Sequence, residues 1–265
     1  MQSKRAILLR NLKRTYQSFL WGGSVIAALL LLWETASNLQ WINPIFSSSP
    51  SRIVVSGWKQ IQDASIYIHI LASGKIFVSG YLLAALIGIP AGIWLGWSKR
   101  ASQAFGPIVA AFYTTPRIAL MPLFIIWFGL GIGSKLALVF MSAVFPLIVN
   151  MQTAISSLDK DLTRVAQAYG ANRGQIFWTI ALPASVPFLI TGLRLATGRA
   201  LLGVVGAEVF GGAEGLGYLI QYAGATFQTD KVFVCVIIIA SAGIIMDRTL
   251  LAFERRFDVW RANDV

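Results

Sequence analysis

The charged residues that interrupt apolar stretches of this 265-residue sequence include Arg117, Arg194, Arg199 and Glu208. An unpaired charge at the centre of a lipid bilayer costs at least about 2.5–3.5 kcal/mol, so we expect each of these side chains to face protein or water rather than lipid. Polar groups at membrane depth belong either to a solute pathway or to packing contacts between helices.

Arg117 is the residue of this set with the clearest possible chemistry. It follows Thr114 and Thr115, and guanidinium and hydroxyl groups together would give an electropositive, hydrogen-bonding lining for a small oxyanion. The alternative is a buried structural contact with a carboxylate or a helix end, which is the more common use of such an arginine. With one further polar residue from an apolar run, the predicted substrate pathway consists of Thr114, Thr115, Arg117 and Asn150.

Residues that support catalysis or metal binding are few and scattered. His69 is the only histidine, and no cluster of acidic residues or cysteines accompanies it. The single cysteine, Cys235, excludes an internal disulfide and a cysteine-based metal cluster. The stretch Gly129–Lys135 resembles a phosphate-binding loop with the wrong spacing, so we interpret it as a flexible turn. We therefore predict no catalytic site, no metal site and no cofactor in this chain.

The elements that must position these residues are membrane-spanning helices. Hydrophobic residues make up 56% of the chain and charged residues only 12%, which is too apolar for an ordinary soluble domain. Because about 20 apolar residues span a bilayer, the sequence predicts a single all-α membrane domain over 1–265. Its six spans lie at about 19–38, 76–97, 104–128, 136–156, 185–209 and 232–253. Pro116 and Pro122 predict a bend or a break in the third span.

The distribution of the net charge of +11 orients the chain. An even number of spans puts both termini on one side. If that side is the cytoplasm, 14 of the 22 Lys and Arg residues are inside, five are outside and three lie within spans. Positive residues favour the cytoplasmic side, so we predict cytoplasmic N- and C-termini and a retained signal-anchor helix at 19–38. The basic residues flank apolar runs, which indicates membrane anchoring rather than nucleic-acid binding.

Two polar segments are predicted outside the membrane. Residues 43–63 indicate an external loop with a short interfacial helix, and residues 211–231 form a second, glycine-rich external loop.

A polar loop with helical periodicity, residues 158–183, lies between the fourth and fifth spans. Apolar residues share one helical face before Gly170 and another face before Pro183. We expect two short helices that meet at Gly170, where glycine tolerates a left-handed turn, with the second ending at Pro183. Such a loop is either a docking element for another protein or a helix hairpin on the membrane surface.

This loop resembles the signature loop of ABC importer permeases, in which Glu-Ala-Ala-x-x-x-Gly is followed by nine residues and Ile-x-Leu-Pro. The residues that match at this spacing are Ala166, Gly170, Ile180, Leu182 and Pro183. Arg164 and Val165 stand in place of the glutamate and the first alanine. Further stretches resemble the nitrate, sulfonate, taurine and bicarbonate branch of this family: Ala119–Gly131, Gly192–Arg194, Ala207–Glu208 and Gly215–Leu219.

The resemblance implies a type I ABC importer permease fold in a bacterial inner membrane. It also implies a homodimer of this chain, two ATPase subunits that bind ATP and Mg²⁺, and a periplasmic or lipid-anchored binding protein. The solute would be a small oxyanion or sulfonate such as nitrate, bicarbonate or taurine, with thiamine-precursor-like heterocycles as the alternative. It would cross at the dimer axis between the third, fourth and fifth spans. The residues expected to dock into the ATPase are Ala166, Ala168, Tyr169, Gly170, Ala171 and Asn172.

Arg194 and Glu208 also match the family's pattern. They lie about 21 Å apart along one straight helix and cannot pair with each other. We expect them to make structural or gating contacts with neighbouring helices. The small residues Gly192, Ala196 and Ala200 predict close helix packing, either within one subunit or across a dimer.

Two other classes of membrane protein fit these residues less well than an importer permease does. A stand-alone secondary transporter needs its own coupling-ion site, for which Glu208 alone is a narrow basis. A membrane enzyme needs a nucleophile with its base or a metal site, and the spans contain neither pattern.

Overall fold

The computed structural model describes residues 21–257, which form helices joined by short turns without any β-strand in this range. The described part of α1 covers 21–38. The other helices are α2 Pro44–Ser47, α3 Pro50–Gln62, α4 Ser65–Trp97, α5 Lys99–Thr114, α6 Met121–Phe128, α7 Ile132–Ser156, α8 Lys160–Ala168, α9 Arg173–Ile176, α10 Leu182–Gly211, α11 Leu216–Ala225 and α12 Thr229–Phe257. A 3₁₀ turn at Arg117–Leu120 precedes α6, and a π turn at Phe177–Ala181 joins α9 to α10.

The predicted all-α membrane fold is confirmed, with corrections to two boundaries. Four helical segments are long and apolar enough to cross a membrane: Ser65–Trp97, Ile132–Ser156, Arg173–Gly211 and Thr229–Glu254. The second predicted span begins at Ser65 rather than at 76, and the fifth is part of a helix that starts at Arg173 rather than at 185. Both helices start with segments that contain polar residues. A span predicted from hydropathy therefore begins later than the helix itself.

Part of the predicted topology lies outside the described residues. Residues 19 and 20 of the first predicted span, 19–38, are outside the described range, and the rest of that span, 21–38, is helical. The basic residues before residue 21 and those after residue 257 also lie outside the described range.

The third predicted span consists of two pieces, as its prolines indicated. α5 ends at Thr114, and Thr115 is extended with a ψ of 133°. A residue before proline is excluded from the helical region by a clash with the proline ring, so Pro116 ends α5. Lys99–Thr114 and Arg117–Phe128 meet at an angle of 92° and give a fifth crossing if they form one span. This bend exposes the end of α5 beside Arg117.

The chain divides into two compact units. Among the described residues, the smaller comprises 21–63 together with Ala223–Val234, and the larger comprises Ala64–Tyr222 together with 235–257. In the larger unit, α7 packs against both α4 and α10. Side chains at the centre of α7 are completely buried: Leu138, Val139, Ala143 and Leu147.

Small residues bring α10 close to α7. A Cβ atom added at Gly192 would lie 3.0 Å from the Cβ atom of Asn150, and Ala196 and Ala200 are fully buried. The stripe predicted from Gly192, Ala196 and Ala200 therefore serves packing within the subunit.

A second stripe, on α4, was not predicted. Its members recur every four residues: Gly80, Ala84, Gly88, Gly92 and Gly96. A Cβ atom at Gly92 would lie 2.6 Å from the carbonyl oxygen of Ile148 and 2.6 Å from the Cβ atom of Met151. α4 and α7 are thus in backbone contact, an arrangement that small residues permit in membrane proteins.

We predict that Gly92→Ala destabilises the helical core, because both crowded atoms belong to or adjoin the α7 backbone and cannot rotate away. Overpacking of this kind costs about 1–3 kcal/mol or more. The midpoint of thermal unfolding in detergent measures the effect. Gly74→Ala is the matched control, since a Cβ atom there meets nothing within 4 Å. Equal midpoints for the two variants would contradict the close approach of α4 and α7.

The smaller unit contains the predicted interfacial helix, α3. Ser49 caps its start by accepting the backbone N–H of Arg52. Glu34 accepts hydrogen bonds from the backbone N–H and the hydroxyl of Ser51 at 3.0 and 2.7 Å. Several large apolar side chains of α3 are exposed, which makes it an amphipathic helix: Val54, Val55, Trp58 and Ile61.

Candidate functional site

The predicted docking loop contains a tight turn between α8 and α9. Gly170 has a φ of +83°, the left-handed conformation that ends many helices. The N–H of Gly170 donates to the carbonyl of Gln167 at 2.9 Å, and the N–H of Ala171 donates to the carbonyl of Ala166 at 3.0 Å. This pair of bonds is the Schellman motif, which satisfies the last carbonyls of α8.

Side-chain caps fix both helices of the loop. Asp159 accepts the N–H of Asp161 at 2.7 Å at the start of α8. At the start of α9, the Asn172 side chain accepts the N–H of Gln175 and the Gln175 side chain accepts the N–H of Asn172, both at 2.8 Å. Such a reciprocal capping box satisfies two donors that a helix start leaves free. The turn is therefore held by its own hydrogen bonds.

The outer surface of this turn is apolar and open. Tyr169 is 90% exposed, and Val165 and Leu162 are each more than half exposed. Of the predicted docking residues, Ala168 and Asn172 are also exposed, whereas Ala166 and Ala171 are half-buried. An aromatic ring in this position has no packing partner within the described part of its own chain. The segment 165–172, which we call the docking turn, thus presents a surface suited to another protein.

The second helix of the loop does not end at Pro183, so that prediction was wrong. Helical structure continues from Arg173 to Gly211. Pro183 lies in the first turn of α10, where the missing N–H costs least, and the preceding π turn passes the chain into α10. One continuous helical stretch therefore joins the docking turn to the membrane segment.

Arg164, which stands where the resembling family has glutamate, is on the surface. It pairs with Asp161 at 3.3 Å, and both side chains are largely exposed. An exposed pair of this kind contributes little to stability.

The predicted pathway residues divide between two places. Thr114, Thr115 and Arg117 line a cleft of about 460 Å³ together with Arg199 and Ser142. Asn150 is not among its lining residues and donates instead to the carbonyl of Pro146 at 2.8 Å. The structure thus brings three of the four predicted residues together and adds one cation that sequence reasoning did not assign to the pathway.

Within this cleft, Arg117 binds the end of α5. Its Nη2 atom donates to the carbonyl of Tyr113 at 2.5 Å and to that of Phe112 at 3.4 Å. Carbonyls at a helix C-terminus carry partial negative charge and attract a cation. The hydroxyls of Thr114 and Thr115 donate to carbonyls of the same helix end. Arg117 therefore makes the structural contact with a helix end that was one of its two predicted roles. Its guanidinium group also lines the cleft.

Arg194 joins α10 to α12. It donates to Asp247 at 2.8 Å and to Glu254 at 3.4 Å. Arg194 thus forms ion pairs with two carboxylates that lie seven residues apart on α12. Its contacts are between helices, and none of its partners lines the cleft around Arg117.

Glu208 is fully buried. Together with two residues of α4, it accepts hydrogen bonds from the backbone N–H groups at the start of α11. The N–H groups of Gly215, Leu216 and Gly217 donate in turn to His69 Nδ1 at 3.1 Å, Ser73 Oγ at 2.8 Å and Glu208 Oε2 at 2.8 Å. Helix starts leave such N–H groups without partners, so each acceptor removes an unsatisfied donor. We call His69, Ser73 and Glu208 the α11 anchor.

Ser73 connects this anchor internally, since its hydroxyl lies 2.7 and 2.9 Å from the two carboxylate oxygens of Glu208. The sequence analysis identified Glu208 but missed Ser73 and gave His69 no role. Their spacing of four residues puts them on one face of α4, which is the only signal that the sequence offered. Gly215 has a φ of +120°, and a Cβ atom there would overlap the Glu208 carboxylate.

Comparison with known proteins identifies the family. Residues 88–259 match the family described as binding-protein-dependent transport system inner membrane component. The taurine transport system permease protein TauC of Escherichia coli is 32% identical over 240 residues, which cover 89% of this chain and 87% of TauC. The formylaminopyrimidine transport permease protein ThiX of Halalkalibacterium halodurans is 29% identical over 250 residues, which cover 94% of this chain and 99% of ThiX.

A solved structure shares the fold. The MetNI methionine ABC transporter in an inward-facing conformation matches with a TM-score of 0.62 and 19% identity, over 72% of this chain and 94% of that chain. The family match covers more than half of the described helices, and it includes the docking loop, the cleft and Glu208. This chain therefore belongs to the binding-protein-dependent inner membrane components, the permease subunits of ABC importers.

Proposed function

We propose that this chain, as a homodimer, forms the pathway of an importer for a small oxyanion or sulfonate and is driven through its docking turn. Members of the family are transport permeases rather than enzymes, and partner ATPase subunits bind the nucleotide. A binding protein supplies the solute in such systems. The homodimer, the solute class and the residues that couple ATP hydrolysis to transport are the parts that we propose here.

The observation that carries the proposal is the docking turn itself. It is closed by the Schellman motif at Gly170, it exposes Tyr169, and a continuous helix connects it to the membrane segment through Gly211. A rigid element that is exposed at one end and continuous with a membrane helix at the other transmits displacement instead of absorbing it. The residues that we assign to ATPase contact are Ala166, Ala168, Tyr169, Gly170, Ala171 and Asn172.

The solute class rests on the cleft and on the relatives. Hydroxyls and guanidinium groups supply donors and positive charge, which suit oxyanions. TauC is named for taurine, and SsuC of Bacillus subtilis, 33% identical over 235 residues, is named for aliphatic sulfonates. We place the pathway at the dimer axis, with Thr114, Thr115 and Arg117 in its wall and Asn150 further along α7.

A secondary transporter with its own coupling ion fits the structure less well. Family membership assigns the energy source to ATPase subunits. Glu208, the carboxylate that such a transporter would use, is already occupied by Ser73 and the N–H of Gly217.

Photocrosslinking from Tyr169 tests the proposed docking. Benzoylphenylalanine in place of Tyr169 keeps an aromatic ring at a position that is 90% exposed, so the fold is expected to persist. In the assembled importer, irradiation should join this chain to the ATPase subunit. The matched control is benzoylphenylalanine in place of Trp58, which is 61% exposed on the predicted external helix and should give no such product. An assembled complex that crosslinks from position 58 and not from position 169 would refute both the docking role and the predicted orientation.

A further inference from the structure

Arg199 is the cation of the cleft that sequence reasoning left without a role. It projects from α10, whereas Arg117 belongs to the 3₁₀ turn after the break at Pro116, and both line the same space. The fold has thus placed two positively charged residues in the lining of one cleft, an arrangement that an anion would stabilise.

Within residues 21–257, neither arginine is paired with a carboxylate. Among the side chains that the structure describes, which end at Glu254, the ion pairs are made by Arg164 and Arg194. Arg199 has no hydrogen-bond partner among the described residues, and the Nε atom of Arg117 is buried without an acceptor. Donor capacity therefore remains available on both guanidinium groups, which favours a ligand that carries acceptor oxygens.

The lining supplies donors and hydroxyls but no acid. None of the residues around the cleft is aspartate or glutamate. The carboxylates of the neighbouring helices are used elsewhere: Glu208 holds the start of α11, and Asp247 is paired with Arg194. The described part of the chain therefore provides two positive charges in the cleft and no negative charge to receive a cationic group.

We propose that Arg117 and Arg199 form a two-cation site that selects small anions without a cationic group, such as alkanesulfonates, nitrate or bicarbonate, over zwitterions such as taurine. An ammonium group two carbons from a sulfonate would share a cleft of about 460 Å³ with two guanidinium groups and no carboxylate. This inference rests on the proposed function, because it names the solute class of that pathway.

A cysteine in the cleft wall measures the local charge directly. Leu202 lines the cleft and is 60% exposed, so Leu202→Cys should react with thiol reagents in the permease–ATPase complex in nanodiscs. We expect the anionic sulfonatoethyl methanethiosulfonate to react about tenfold faster or more than the cationic trimethylammonioethyl reagent, relative to their rates with a small thiol. The parent chain gives the background, since its own cysteine, Cys235, is buried.

Substitutions at Arg199 then assign the preference. Arg199→Gln should lower the ratio of the two rates severalfold, and Arg199→Lys should retain most of it because the charge remains. Arg100→Gln, which removes one charge from an exposed site at the start of α5, outside both the cleft and the neighbouring pocket that Leu202 also lines, should leave the ratio unchanged. A ratio near one in the Leu202→Cys parent, or one that does not respond to Arg199→Gln, would overturn the proposal.

Protection by solutes tests the selectivity. Methanesulfonate should slow modification of the cysteine at concentrations at which taurine, in the same salt background, does not, and Arg199→Gln should abolish this difference. Equal protection by the two solutes would overturn the preference. If Leu202→Cys does not assemble, Thr114→Cys, which lines the same cleft from the end of α5, gives the same measurement. This assay needs neither ATP hydrolysis nor a binding protein. A negative result would therefore overturn the two-cation site without bearing on the docking turn, which the photocrosslinking experiment tests.

Discussion

Replacement of Gly170 by aspartate is expected to reduce transport at least tenfold while the membrane helices remain folded. Gly170 has a φ of +83°, where any side chain is strained, and the new carboxylate would stand in the proposed interface with the ATPase. The backbone strain and the burial of an unpaired charge cost about 1 kcal/mol or more each, and about 1.4 kcal/mol corresponds to a factor of ten in the docking equilibrium. No atom lies within 4 Å of the added Cβ position, so the damage is confined to the turn and its partner.

The measurement uses the purified importer with its ATPase and binding protein. Assembly is followed by co-purification, and coupling is followed by ATP hydrolysis stimulated by the binding protein. Gly170→Asn is the matched control, because asparagine has nearly the same size as aspartate, bears a similar backbone strain at this φ and carries no charge. We expect Gly170→Asn to retain much more stimulated hydrolysis than Gly170→Asp. Normal assembly, hydrolysis and transport in Gly170→Asp would remove the docking turn from the mechanism.

Replacement of Glu208 by leucine is expected to be the most destabilising exchange of a single polar side chain in the described helices. Leucine fills a similar volume but accepts no hydrogen bond, so the N–H of Gly217 and the hydroxyl of Ser73 lose their acceptor inside the protein. Each buried donor left unsatisfied costs about 1–3 kcal/mol, which gives a total of roughly 2–6 kcal/mol. The midpoint of thermal unfolding in detergent should fall accordingly, and the turn before α11 should become sensitive to protease.

Two variants separate this effect from a loss of charge. Glu208→Gln keeps one acceptor oxygen and should be less damaging than Glu208→Leu. Glu214→Gln changes an exposed carboxylate six residues further along the chain, and a surface change of this kind usually shifts stability by at most about 0.5 kcal/mol. If Glu208→Leu unfolded at the same temperature as the native chain, the α11 anchor would not contribute to the stability of the protein.

Much of the fold followed from local features of the sequence. Apolar runs identified the helices that cross the membrane, and Pro116 identified the break after α5, because a proline constrains the residue before it whatever surrounds them. Gly170 identified the turn of the docking loop for a similar reason, since a left-handed residue that closes a helix is most often glycine. These conclusions needed only backbone sterics and hydropathy, which act over a few residues.

One local rule was applied too strictly. Pro183 was expected to end a helix, but proline is disruptive only where its N–H would have been used. In the first turn of α10 that donor is not needed, and the π turn before it continues the helix from Arg173. Whether a proline begins or ends a helix depends on where the helix starts, which the sequence pattern left open.

The site itself depended on contacts between distant residues. The sequence marked Arg117, Arg194 and Glu208 as charges that need partners, but not which partners they have. Ser73 is 135 residues from Glu208, Asp247 is 53 residues from Arg194, and Asn150 proved to lie apart from the cleft. Which side chains meet depends on the rotation and axial offset of each helix against the next. Those quantities are set by packing, such as the glycine contacts of α4 with α7, and no periodicity within a single helix encodes them.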